Sequence, residues 1–557
     1  MPRRERLIEA SCVGGGSIAA AVAFTWPLIL HLQTVARDRF DVLFQAWTIN
    51  WIQYAVSHGA NIYNTPMFVP ERTTLAYSDT LLGVAIPTLP LHWLGMSPIG
   101  VLNVSILLGF ATSAAAAYLL VRLVTGSRLA AAIGGAGYAF GPFGAVAARH
   151  LHVAMRPGVP LAAAAAWWLA DRARARRPLL APAIALVAVI GWQTSVSFYP
   201  GTYAIVAAAV VLAVRCRDLG RRGLVAVGGS IVAVGLIGTL LAIPNLEVAA
   251  RYPNYTVSLV EFQAWAPNFG KVEPGLVVWG SILGHTTGDI PTATFPGATL
   301  LVLAVLGLVY GLRRRARRTV VALAVALTAV GAMLAVGTAQ TGWRQYAPYR
   351  LLYDIGPPFN VLRGTARAWM IGLCGLGILA GFGAMAVVEW LGRHARLPSA
   401  ATSLVVGTLV VVLVLVEGFD PWTHDPTVTI PAVDRELARL PGAGGVAYLP
   451  MMSNSTANLS IFTQPTNLYG ETAHHRPMLN GYSGYTPPSY ARQSRALWSL
   501  PSPSALTLLR HLGIRYVVVH RAVAGTPWAA LRSPPQAAPL RYLGSFGGDE
   551  LYEVPDA

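Results

Sequence analysis

The sequence predicts a polytopic α-helical membrane protein with about 11 transmembrane helices and a C-terminal extracytoplasmic α/β domain. Three observations predict it. Of the 557 residues, 54% are hydrophobic and only 12% are charged, about half the charged share of an average globular chain. The mean hydropathy is +0.52. The apolar residues gather into runs near or above the ~20 residues that cross a bilayer, and no such run occurs after residue 418. This composition excludes a disordered chain and argues against a wholly soluble enzyme.

The runs are 10–31, 99–122, 129–147, 157–170, 179–196, 200–215, 223–243, 296–312, 319–337, 368–391 and 402–418. The first follows Arg3, Arg4 and Arg6. It is too long for a cleaved signal core and reads as a retained helix. Cys12, Cys216 and Cys374 all lie in or beside these runs, so no disulfide framework or paired metal-ligand spacing exists.

The net charge of +17 would suit a nucleic-acid surface, but its distribution points elsewhere. The base is almost all Arg, with Lys271 the single lysine. With the N-terminus inside, the inner loops hold 20 arginines against 5 acids, the outer loops 11 basic residues against 9 acids, and the tail 10 of each. Short basic loops stay on the cytoplasmic side. The charge therefore predicts topology: a multi-pass plasma-membrane protein with a cytoplasmic N-terminus, an extracytoplasmic C-terminal region and no nucleic-acid partner.

Two domains follow, 1–418 in the membrane and 419–557 soluble outside it. The first outer loop, 32–98, contains Phe44, Trp47, Trp51 and Tyr54 at intervals of three or four, with Gln45, Asn50 and Gln53 off that stripe. This predicts an amphipathic helix whose rings lie at headgroup depth or pack on other protein. A second apolar stretch, 80–94, is broken by Pro87 and Pro90. In the tail, 446–449, 516–520, 541–546 and 550–554 read as strands, the last two forming a hairpin around Gly547-Gly548-Asp549. Residues 502–512 read as a helix stopped by Gly513.

Chemistry needs polar groups, and the outer face has few acids. Asp41 opens the aromatic helix and Asp79 opens the next apolar stretch. Both positions suit helix capping, and both suit a carboxylate acting as general base at the membrane surface. Arg149-His150-Leu151-His152 places two imidazoles two residues apart, a weak metal signal and equally a polar interfacial loop. Arg363 and Arg367 are four apart and share a helix face. Their guanidinium groups suit a lipid phosphate, or snorkelling to headgroups.

Several of these features occur together in one known group. The run Asp41-Val-Leu-Phe-Gln-Ala-Trp47-Thr-Ile-Asn-Trp51 resembles the first outer loop of bacterial multi-pass glycosyltransferases of superfamily C. Tyr77-Ser78-Asp79, His150-Leu151-His152 and Leu362-Arg363-Gly-Thr-Ala-Arg367 fall in the same order as in those proteins. So do Arg476-Pro-Met-Leu-Asn480-Gly-Tyr482-Ser-Gly-Tyr485 and Gly513-Ile-Arg-Tyr-Val-Val-Val-His520. The resemblance implies inverting transfer of a sugar from a polyprenyl-phosphate donor to a glycan, lipid or protein acceptor on the outer face. It implies Asp41 as the catalytic acid residue, with Asp38 behind it. It also implies substrate contacts from Asp79, His150, His152, Arg363, Arg367, Asn480, Tyr482 and Tyr485, and often a divalent metal (Mg or Mn), here on Asp41 and His150. The paired acids of several branches are replaced by Asp38 and Asp41 with Arg39 and Phe40 between them. A transporter or flippase for a lipid-linked sugar is the alternative, with Gln193 and Ser195 the nearest to a buried polar path. A non-catalytic member of the fold is the third reading.

Overall fold

The computed structural model describes residues 3–252, 258–259, 267–284, 293–357, 359–362, 364–395, 399–451 and 463–556. They form two compact units. Unit 1 comprises Met1–His31, Asn103–Ile243 and Ala249–His424; unit 2 comprises Leu32–Leu102, Pro244–Val248 and Asp425–Ala557. The first outer loop, grouped with the membrane part on hydropathy, clusters instead with the tail.

Each of the eleven apolar runs is helical. The helices are Arg3–Phe24, Pro98–Thr125, Arg128–Phe140, Gly158–Arg174, Leu180–Val196, Phe198–Val214, Cys216–Arg251, Ala298–Leu312, Arg318–Ala335, Trp369–Ala395 and Ser399–Gly418. Among the described residues, six helices are long and apolar enough to cross a membrane. Three shorter apolar ones, Leu180–Val196, Phe198–Val214 and Ala298–Leu312, accompany them. The run 129–147 is interrupted: Gly141 is extended, and a separate short helix, Pro142–Ala147, follows it.

Trp369–Ala395 is the helix around which unit 1 packs. Small residues make its close crossings possible. A Cβ on Gly307 would run into the Leu379 carbonyl, and one on Gly383 into the Leu303 carbonyl. Where lipid tails are as apolar as leucine, such close backbone approach is what holds helices together.

Four of the five acids in the loops assigned to the inner side are tied to arginines. Glu9 pairs with Arg122 at 2.8 Å and Arg128 at 3.0 Å. Glu389 accepts from Arg314 and from the Tyr310 hydroxyl. Arg215 donates to Asp171 at 2.8 Å and to Asp218. Each network staples neighbouring helices at one end.

Unit 2 is built on a four-stranded sheet: β1 (Gly445–Leu449), β2 (Ile514–Val519), β3 (Arg541–Phe546) and β4 (Asp549–Glu553), in the order β1-β2-β4-β3. β1 runs parallel to β2, with Val446 opposite Tyr516. β4 is antiparallel to both β2 and β3, with Leu551 opposite Val518. Gly547 and Gly548 turn the β3–β4 hairpin with φ of 63° and 88°, the left-handed conformations a two-residue hairpin loop requires. The Pro503–His511 helix begins where Ser502 accepts the Ala505 N–H, and Gly513 ends it at φ 68°.

Residues of the first loop extend this sheet. Phe68 N–H donates to the Asn480 carbonyl at 3.0 Å, Val69 N–H to Met478 at 3.1 Å, and Met478 N–H to Pro66 at 2.8 Å. A second seam joins the unit's ends: Val428 N–H donates to Thr34, Ala36 N–H to Pro426, and Arg37 pairs with Asp425 at 2.9 Å.

The Asp41–His58 helix differs from the interfacial helix its periodicity suggests. It is buried on both faces, including Gln45, Asn50 and Gln53. The Gln53 amide donates to the Ala85 carbonyl and the Thr88 hydroxyl, each at 3.1 Å. Trp47 Nε1–H donates to Glu471 at 2.6 Å, and Tyr54 stacks on His475 at 3.8 Å. The aromatic stripe thus packs on protein. The large exposed apolar side chains of this region are Ile86, Trp93 and Leu94, the last 83% exposed. Leu94 stands four residues before the apolar Pro98–Thr125 helix. In reconstituted protein with Cys12 and Cys216 replaced by serine, a nitroxide label at Trp93→Cys should collide more with oxygen than with a water-soluble nickel chelate. A label at Tyr542→Cys should show the opposite preference. Equal profiles would remove the 86–94 stretch from the bilayer surface.

Candidate active site

The anticipated site residues fall in both units and are described within each. In unit 2, Asp38 and Asp41 divide the two roles the sequence left open. Asp38 Oδ1 accepts the N–H groups of Phe40 at 2.8 Å and Val42 at 3.3 Å. It therefore satisfies the orphan donors at the start of the helix. Asp41 is the first helical residue, and its Oδ1 accepts the Tyr482 hydroxyl at 2.8 Å. Capping by Asp38 leaves the Asp41 carboxylate for other work. The Tyr482 ring meets Phe44 edge-on at 5.6 Å, and Phe44 stacks on Trp47 at 5.9 Å. The tyrosine is thereby fixed from two sides.

Tyr485 packs edge-on against Tyr77 at 5.4 Å. Tyr77 is buried, and Tyr485 is half-buried. Asp79 is half-buried too. The following Leu82–Ala85 helix has Leu81, at φ 53°, as its N-cap residue.

Asn480, anticipated as a substrate contact, has its side chain committed to β1. Its Oδ1 accepts Tyr448 N–H at 2.7 Å, and its Nδ2 donates to the Tyr448 carbonyl at 2.8 Å. The side chain is fully buried and pairs with the edge of β1 as a backbone amide would.

In unit 1, His150 occupies the N-cap position of the short Leu151–Ala154 helix. The His150 and His152 rings meet edge-on at 5.7 Å, and His152 lies 6.0 Å from Tyr199. Arg367 comes from the Thr365–Ala368 turn that leads into Trp369–Ala395. Its guanidinium lies 4.6 Å from the centre of the Tyr199 ring. No carboxylate pairs with Arg367 among the described residues. Burial, then the neighbouring Arg367 guanidinium, pushes the His152 pKa well below its ordinary value. The imidazole is thus held neutral beside a half-buried cation. Arg363 lies outside the described residues.

Sequence reasoning missed Tyr199, which falls at the start of an apolar helix. Ser197 accepts the Tyr199 N–H there, and that cap is the signal that could have marked the break. It also missed the pair of half-buried Arg149 and buried Glu273, 3.3 Å apart. Gln193 is not part of an open polar path. Its Oε1 accepts Gly158 N–H at 2.7 Å, and its Nε2 donates to the Met155 carbonyl at 2.9 Å. Ser195 donates to its own helix at Trp192.

The resemblance implies a divalent ion on Asp41 and His150. Among the described residues, no three His, Cys, Asp or Glu side chains converge as ligands.

No protein-family model matches the sequence, and no curated protein does. Solved structures do match. Arabinofuranosyltransferase AftD from Mycobacteria is similar over 100% of this chain, with TM-score 0.57 and 14% identity; the chain spans 40% of that protein. ArnT from Cupriavidus metallidurans, bound to undecaprenyl phosphate, is similar over 100% of this chain and 99% of that one. Its TM-score is 0.51 and its identity 12%. The chain shares its fold with these two structures. It is a multi-pass membrane protein.

If Asn480 is structural, Asn480→Ala strands two buried backbone groups of Tyr448. Unfolding of the purified protein should then show a loss of about 2 kcal/mol or more. An unchanged unfolding midpoint would return Asn480 to the substrate-binding set.

Proposed function

We propose that the protein is an inverting glycosyltransferase. It moves a sugar from a polyprenyl-phosphate donor to an acceptor hydroxyl on the extracytoplasmic face of the plasma membrane. The observation that carries this reading is Arg367, a half-buried cation with an aromatic ring beneath it and no carboxylate partner among the described residues. Such a group is ready to receive an anion. Undecaprenyl phosphate in ArnT, whose fold this chain shares, supports a lipid phosphate as that anion. The arabinofuranosyl transfer of AftD makes an arabinofuranosyl donor the first sugar to try.

The roles proposed for these residues rest on their chemistry within each unit. Asp41, held by Tyr482, takes the proton of the acceptor hydroxyl as its oxygen attacks the anomeric carbon. The bond from that carbon to the phosphate oxygen breaks, and its electron pair stays on the phosphate. Arg367 balances the charge that develops there, with neutral His152 beside it. One displacement with no protein nucleophile inverts the anomeric centre. Tyr482 and Tyr485 offer the aromatic surface that sugars stack on, and Asp79 a carboxylate for sugar hydroxyls. The transporter reading loses support because Gln193 and Ser195 are spent on backbone partners.

Membranes carrying each variant, supplied with radiolabelled polyprenyl-phosphate sugars, test the assignment. Asp41→Asn should lower transfer by about 10²-fold or more, the usual worth of a general base. Tyr482→Phe, which keeps the ring and removes the donor, should cost about tenfold, near the 1–1.5 kcal/mol of one hydrogen bond. Arg367→Gln should lower kcat/KM for the donor and leave the acceptor KM unchanged. Wild-type transfer by Asp41→Asn would sink the mechanism.

A further inference from the structure

One end of unit 1 carries an unusual concentration of charge. Residues 171–177 and 215–222 hold eight arginines and two aspartates. The two segments are adjacent. Leu219 packs with Leu169 and Ala170 in one buried cluster, with Ala173 against it. Both aspartates are claimed by a single arginine. Arg215, 4% exposed, donates to Asp171 at 2.8 Å and to Asp218, and its guanidinium lies 4.1 Å from the centre of the Trp167 ring. Arg215 and Arg174, the latter 3.9 Å from Asp218, together balance the two aspartates.

Of the other seven arginines, Arg172 is half-buried and donates to the Pro178 carbonyl at 2.7 Å, and six point outward. Arg174, Arg176, Arg177, Arg217, Arg221 and Arg222 are exposed. The backbone breaks at Gly220, where φ is 55°, so Arg221 and Arg222 open the helical stretch that follows. That stretch is the least buried of the candidate spans. Leu224, Val225, Ile231, Val232 and Leu236 are each about 60–70% exposed. Guanidinium groups thus sit directly above an uncovered aliphatic surface one helix long.

We infer that this end of unit 1 is a binding surface for anionic phospholipid, with Arg217, Arg221 and Arg222 on the phosphate and the Leu224–Leu236 face against the acyl chains. The chemistry is complementary at both ends. Forked N–H donors match phosphate oxygens, and basic groups at headgroup depth gain about 1 kcal/mol each from an anionic leaflet. The surface is separate from the residues assigned to glycosyl transfer and does not depend on that assignment. Inner-loop arginines set topology in any membrane protein. What singles this end out is that Arg221 and Arg222 open the least buried of the candidate spans among the described residues.

Native mass spectrometry of the full-length protein in detergent, with phosphatidylglycerol or phosphatidylcholine added, tests the inference. The wild type should retain phosphatidylglycerol over phosphatidylcholine by fivefold or more. The Arg217→Gln, Arg221→Gln, Arg222→Gln triple variant should lose that preference. A triple variant of equal charge loss, Arg313→Gln, Arg315→Gln and Arg318→Gln, should keep it. Circular dichroism and monodispersity check that each is folded, and the corresponding Arg→Lys triple at 217, 221 and 222 should recover part of the preference. Equal retention of both lipids by the wild type, or equal loss in the two glutamine triples, would overturn the proposal.

Discussion

The hydrogen bond from Trp47 to Glu471 is the contact on which unit 2 depends. A carboxylate 1% exposed is costly unless its charge is met. Here the indole N–H meets one oxygen at 2.6 Å, and His475 stands 3.6 Å from the other. His475 in turn lies flat on Tyr54. Two turns of the Asp41–His58 helix are therefore clamped to the end of the Gln464–Glu471 helix. The clamp fixes the axis of a helix whose first residue is Asp41, and Tyr482 reaches that residue from the same tail. A position that carries chemistry is set by partners more than 400 residues further along the chain.

Unit 1 uses a different device. Arg367 is placed by a turn leading into its most buried long helix, and that helix is positioned by glycines that let neighbouring backbones approach. The ring of Tyr199 supports the guanidinium without neutralising it. An ion pair at the same place would have satisfied the cation and left it nothing to bind. The neutral state of His152 follows from the same cation, since burial and a positive neighbour act on the imidazole in the same direction.

Much of the fold was legible because it rests on local signals. All eleven apolar runs are helical, one of them broken at Gly141, since a long apolar segment in a bilayer has few other ways to satisfy its backbone. The four strands, the Gly547–Gly548 hairpin and the Ser502 cap were legible for the same reason. The aromatic stripe of the Asp41–His58 helix was not decisive, because a stripe records burial without recording what buries it. Asp38 and Asp41 are three residues apart and equally suited to capping, so only the backbone could assign the cap to Asp38. Asn480 and Tyr482 sit two apart in one motif. The first serves β1 and the second reaches Asp41, a difference created by strand pairing rather than by residue type. Tyr199 was hidden in an apolar run because an aromatic residue there is ordinarily core.

The pairing of residues 66–69 with 478–480 has a consequence for biosynthesis. The first loop emerges early, and its edge partners emerge about 400 residues later. At about 5–20 residues per second that is an interval of roughly 20–80 s. Throughout it, Phe68 and Val69 lack their final hydrogen-bond acceptors, and the Asp41–His58 helix lacks Glu471. Unit 2 cannot mature segment by segment as the chain is made. It closes only when translation is nearly complete, so a chain stopped before residue 464 would leave its earliest outer segment without a folded destination.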